Sequence, residues 1–89
     1  MELVAVVEMV PGQFEIGKRY EDAVLALLNR HDGELMWRRY AIDGATEVQL
    51  IRFGSRAGYE SFLADPDRAA LRTEVGDAAP TTRVIEVAA

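Results

Sequence analysis

Cysteine is absent from this chain and histidine occurs once. The first absence excludes a disulfide, a thiolate metal site and a cysteine nucleophile; the second excludes an imidazole cluster or a His-x-x-x-His pair. A metal would need a carboxylate site, but the acids are scattered rather than spaced as a binding loop, so no metal is expected. Basic residues are short as well: ten Lys and Arg against fifteen Asp and Glu leave a net charge of -5. A phosphate backbone needs clustered cations to displace its counterions, so nucleic acid is not expected as a partner. No apolar run is long enough to span a bilayer, and Met1-Glu2-Leu3 lacks the basic start and apolar stretch of a signal peptide. The expectation is a cytoplasmic protein with no membrane partner.

What is there is an ordinary globular composition, with 49% apolar and 28% charged residues. Eighty-nine residues make one domain, 1–89, and a chain this short hides only a little over half of its unfolded surface. A second copy would help.

The segment from Glu47 to Pro66, EVQLIRFGSRAGYESFLADP, organises the rest: a strand, a Gly-Ser break, then a helix with aromatics on one side. Before it, Glu2 to Met9 carries apolar residues at both parities, the pattern of a central strand covered on two faces. Ile16, Tyr20, Ala23, Val24, Leu27 and Leu28 form one helical stripe between Phe14 and His31, with Gly17 weakening the first turn and Gly33 suited to a left-handed stop. Glu34 to Ala41 and Thr46 to Phe53 read as strands joined at Asp43-Gly44. That hairpin puts Arg38 opposite Gln49 and Trp37 opposite Leu50. Ser55 suits the cap of the next helix, Asp65-Pro66 restarts it, Gly76 to Pro80 is a loop, and Thr81 to Val87 is a last strand.

Strand, helix, strand, strand, helix, strand with two right-handed crossovers predicts an α+β, ferredoxin-like βαββαβ subunit. Its four-stranded antiparallel sheet would carry helices on one face and the first and third strands at its centre. The hairpin face bearing Leu35, Trp37, Val48 and Leu50 is expected under the helices. The face with Met36, Arg38, Tyr40, Gln49 and Ile51 is expected uncovered. Apolar groups on an uncovered face call for a two-fold homodimer, with a cavity between sheets and helices.

YEDAVLALLNRHDGEL (Tyr20 to Leu35), EVQLIRF followed by Ser55, and AGYESFLADPDR (Ala57 to Arg68) resemble the small domain-of-unknown-function proteins of the dimeric α+β-barrel superfamily. That group also holds the antibiotic-biosynthesis-monooxygenase-like proteins. The resemblance implies a ferredoxin-like subunit in a homodimer whose sheets enclose a barrel. Where the family shows His-Gly-Gly this chain has His31-Asp32-Gly33, and no catalytic set carries over residue by residue.

Several side chains stand out for chemistry. His31, the one imidazole in the chain, could serve as a general acid or base; the plainer and favoured reading has it capping a helix end. Trp37 could stack on a flat ligand, but a strand tryptophan is more often core beneath a helix. Arg38, Tyr40 and Gln49 could orient a carboxylate, phenolate or quinone in the cavity, with Tyr40 or His31 moving the proton; equally, Arg38 could pair with Glu8 or Glu86 of a partner. Tyr20 and Tyr59 read as packing. Ser55 lacks a nucleophile-elbow context and reads as a cap. The leading expectation is a homodimer that binds a small apolar or aromatic molecule and needs no cofactor. One competitor is a cofactor-independent monooxygenase or isomerase acting on a phenolic or polyketide-like substrate. The other is a purely structural dimer with a filled interior.

Overall fold

The computed structural model describes residues 1–88. β1 spans Glu2–Glu8, α1 Phe14–Leu25, β2 Gly33–Tyr40, β3 Thr46–Phe53, α2 Arg56–Leu63, α3 Pro66–Val75 and β4 Thr81–Val87. Short 3-10 turns follow α1 at Leu28–His31 and α3 at Gly76–Ala78. The strands form one four-stranded antiparallel sheet in the order β2-β3-β1-β4, with all the helices on one side. This is the α+β, ferredoxin-like arrangement, with β1 and β3 at its centre. No helix among the described residues is long and apolar enough to cross a membrane.

Local chemistry accounts for the element ends. Ser55 accepts a hydrogen bond from the Gly58 amide at 3.0 Å, and Asp65 accepts one from Asp67 at 2.8 Å with Pro66 opening α3. The helix expected to run to His31 stops at Leu25 and tightens into the 3-10 turn, where Leu27 and Arg30 bond three residues back. This brings Leu27 and Leu28 both into the core. The left-handed residue that follows is Asp32 (φ 58°), not Gly33. Gly33 is needed for another reason: a Cβ there would lie 2.8 Å from the Phe53 ring. Gly17 is likewise a close approach, since α1 packs directly on the Met9 thioether at that point.

The hairpin register is the expected one: Trp37 pairs with Leu50, Arg38 with Gln49 and Tyr40 with Glu47. The faces are reversed. Glu47, Gln49, Ile51 and Phe53 are buried beneath the helices, and Arg38 lies on their side of the sheet, so the face expected uncovered is the covered one. Trp37, expected as core beneath a helix, stands on the open side and is 36% exposed. The cause is a polar network, described below, that satisfies charged groups under α1 and so reverses the apolar-inward rule. A bulge between Leu35 and Trp37 also breaks the alternation: Leu35 faces inward with Ile51 while Trp37 faces outward.

The core joins Leu3, Ile51 and Phe53 of the sheet to Tyr20, Val24, Leu27, Leu28 and Phe62 of the helical layer. On the open face a row of apolar residues crosses all the strands, Trp37–Leu50–Val4–Ile85, with Val6 and Val48 beside it. Arg39 stacks its guanidinium on Trp37, 5.7 Å from the ring centre.

Candidate functional site

Behind that apolar row, on the helix side, lies the row Arg38–Gln49–Ala5–Val84. Alanine at its centre leaves room, and α1, α2 and α3 roof the space rather than fill it. The result is a cavity of about 470 Å³. Its floor is Leu3, Ala5, Gln49, Ile51 and Phe53; Thr82 and Val84 of β4 form the sheet edge; Tyr20, Glu21, Val24, Tyr59, Phe62, Arg68 and Arg72 come down from the helices. The lining is mainly apolar with a few polar groups, the usual composition of a small-molecule pocket. Phe53 packs against Tyr59 at 5.4 Å and Phe62 at 5.6 Å between ring centres, which gives one aromatic wall.

Of the polar lining, Gln49 and Glu21 belong to a network that continues behind the cavity through Glu47, Arg38 and Asp22. Arg38 donates from Nε to Glu47 Oε2 at 2.8 Å and from Nη2 to Oε1 at 3.0 Å, a bidentate pair, and from Nη1 to Asp22. Glu47 has no exposed surface. The Gln49 amide donates both to Glu47 Oε2 and, at 2.8 Å, to Glu21 Oε1. A single amide therefore links the buried ion pair to the carboxyl that borders the cavity. Burial pushes the Glu21 carboxyl above its ordinary value; the Gln49 hydrogen bond opposes this, and the Glu47 charge adds to it. Burial works against the Arg38 charge, but the Glu47 and Asp22 carboxylates outweigh it and hold the guanidinium above its usual range.

Of the residues singled out from sequence, Gln49 borders this cavity. Arg38 and Tyr40 do not. Arg38 is spent on Glu47 and Asp22 within the same chain, while Glu8 and Glu86, the partners expected for it across a dimer, take Thr46 and Arg56. Tyr40 is exposed at the sheet edge, with the Lys18 ammonium 5.1 Å and the Arg38 guanidinium 5.3 Å from its ring centre. Trp37 is on the opposite face.

His31 joins the 3-10 turn to the α2–α3 corner. Its Nδ1 lies 2.8 Å from Ser61 Oγ and its Nε2 2.7 Å from Asp65 Oδ2, with its ring edge-on to Phe62. The serine–histidine–carboxylate order invites comparison with a hydrolytic triad. Ser61 is mid-helix, however, where the backbone amides are committed to the helix and offer no oxyanion hole. The His31 hydrogen bond and the Asp67 amide hold the Asp65 carboxyl below its ordinary value, which suits a cap. Among the described residues no group of three or more His, Asp or Glu side chains could hold a metal ion.

Sequence reasoning missed Glu21 and Arg68 and assigned Tyr20 and Tyr59 to packing alone. The signal was present. Glu21 falls three and seven residues before Val24 and Leu28, and Arg68 falls three and seven before Leu71 and Val75, so each charge sits on an apolar stripe.

No family model matches the chain. A search of curated proteins found no relative. Solved structures do match over nearly the whole chain. The Mycobacterium tuberculosis protein Rv0793 aligns with a TM-score of 0.73 at 18% identity, covering 99% of this chain and 94% of that one. A putative antibiotic biosynthesis monooxygenase from Nitrosomonas europaea aligns at 0.71 and 14% identity, covering 98% of each chain. A variant of SnoaB, a cofactor-independent oxygenase from Streptomyces nogalater, aligns at 0.68 and 17% identity, covering 99% of this chain and 90% of that one. The fold is thus that of the antibiotic-biosynthesis-monooxygenase-like proteins.

Proposed function

We propose that this chain forms a homodimer through the open face of its sheet and binds a small aromatic molecule in the cavity of each protomer. The observation that carries the reading is the cavity itself: about 470 Å³, lined by the aromatic rings of Phe53, Tyr59 and Phe62 and by the polar side chains of Glu21 and Gln49. A purely structural dimer would have that volume filled by side chains. What supports the dimer is the Trp37–Leu50–Val4–Ile85 row, an apolar stripe across the whole sheet that a second copy would cover.

The test is calorimetric titration with neutral polycyclic phenols, using Ala5→Leu to fill the floor of the cavity. The wild type is expected to bind and the variant, checked for unchanged circular dichroism, to lose binding. Binding that survives in Ala5→Leu would mean that the ligand sits elsewhere.

A second reading, a cofactor-independent oxygenase, is favoured by Glu21. A carboxyl with a raised pKa, bordering an apolar pocket and oriented by Gln49, is suited to take a proton from an acidic C–H or phenol. Glu21 takes this role in place of Tyr40 and His31. With an anthrone as substrate and dioxygen as oxidant, the methylene would lose two hydrogens and gain one oxygen atom to give the carbonyl, the second oxygen leaving as water. Oxygen-electrode assays with anthrone are expected to show uptake in the wild type and little in Glu21→Gln. Equal uptake by the two would remove Glu21 from this role.

A further inference from the structure

Arg68 is poorly served by its surroundings. It stands in the first turn of α3, just past the Asp65 cap and Pro66, where the positive end of the helix dipole disfavours a cation. Its guanidinium lies over the Phe62 ring, 5.2 Å from the centre, and its Nε is buried with no hydrogen-bond partner among the described residues. A buried unpaired donor on a charged group is destabilising, and stacking on one ring offsets only part of that. Of the acids nearby, Asp65 and Asp67 take Arg30 and His31, while Glu21 accepts from Gln49 through Oε1 and attracts Arg68 only through space, with no hydrogen bond to it.

The charge balance of the cavity points the same way. A chain with net charge -5 borders this one space with two guanidinium groups, Arg68 and Arg72, and a single carboxyl, Glu21. The cavity is therefore cationic inside an acidic protein.

We propose that the cavity's ligand is a planar aromatic carboxylate, its rings on the Phe53–Tyr59–Phe62 wall and its carboxylate paired with Arg68. This rests on the binding reading above and adds the chemical class of the ligand. A turn of the guanidinium toward the cavity would bring its unpaired Nε–H and a neighbouring Nη–H onto the two carboxylate oxygens, the side-on fork that arginine makes with such groups.

The experiment compares 2-anthroate with 2-(hydroxymethyl)anthracene, which has the same rings without the charge, by fluorescence titration of wild type, Arg68→Met and Arg68→Lys. The wild type is expected to hold the carboxylate about 10- to 100-fold tighter than the alcohol. Arg68→Met should lose that preference while keeping its affinity for the alcohol, and Arg68→Lys should restore part of it. Without ligand, Arg68→Met should melt no lower than the wild type, since it removes an unpaired buried donor; a purely structural arginine would not allow this. Equal binding of the two probes by the wild type, or equal weakening of both in Arg68→Met, would overturn the carboxylate subsite and leave the aromatic cavity intact. Failure of both probes to bind the wild type would remove the cavity reading and the subsite with it.

Discussion

Two rows of side chains cross the same sheet back to back. On the open side run Trp37, Leu50, Val4 and Ile85; on the covered side run Arg38, Gln49, Ala5 and Val84. The apolar row faces outward and the row with a charge and an amide faces inward, the reverse of what stability alone would select. Each departure has its own meaning. A buried polar network is tolerated only when every member is satisfied, and here Arg38, Glu47, Gln49 and Glu21 satisfy one another and leave a carboxyl at the edge of a cavity. An apolar row left in water needs a partner surface. The covered face is therefore the proposed site of binding and the open face the proposed site of assembly.

The comparison breaks most visibly on the open side. Leu50→Asp puts a carboxylate into the middle of the apolar row and should weaken the proposed dimer by about 4 kcal/mol or more, enough to give a monomer in light scattering at micromolar concentration where the wild type is expected to be dimeric. A variant that remains dimeric would show that the open face is not the interface. On the covered side, Arg38→Met strands the fully buried Glu47 carboxylate with only the Gln49 amide to meet it, and urea unfolding should register a loss of about 3 kcal/mol. Stability equal to the wild type would mean that the ion pair contributes nothing to holding the polar row inward.

The smallest effect sharpens the comparison through pH. Because the folded-state pKa of Glu21 is raised above 4.5, chiefly by burial, folding favours its protonated form. The stability that this group supplies is present below that ordinary value and is lost as pH rises through the raised one. Glu21→Gln should therefore melt higher than the wild type at about pH 8, with the gap closing toward about pH 4. A gap that widens in acid would contradict the raised pKa.

Much of the fold could be read from local chemistry. Alternation and the Asp43-Gly44 turn gave the strands and the hairpin register; Ser55, Asp65 and Pro66 gave the helix starts. Which face went under the helices could not be read in the same way. The rule that apolar residues point inward gave the wrong answer for Trp37 and Arg38, because the acids that satisfy Arg38 lie on α1 and β3 and meet it only in three dimensions. The bulge at Met36 then hid the change of parity along β2. For the site, Gln49 borders the cavity on the covered face, not on the open face where it was expected. Glu21 and Arg68 were not legible from their charge alone, because a charge on a helix reads as solvated until the packing of that helix over the sheet brings it to the cavity.

The most direct test of the division between the two faces is amide and indole NMR during titration with a small aromatic ligand, because the chain has a single tryptophan and it marks the open face. The account predicts shifts at Gln49, Ile51, Tyr59, Phe62 and Arg68 while the Trp37 indole signal stays in place. A moving indole signal with those five unmoved would contradict it.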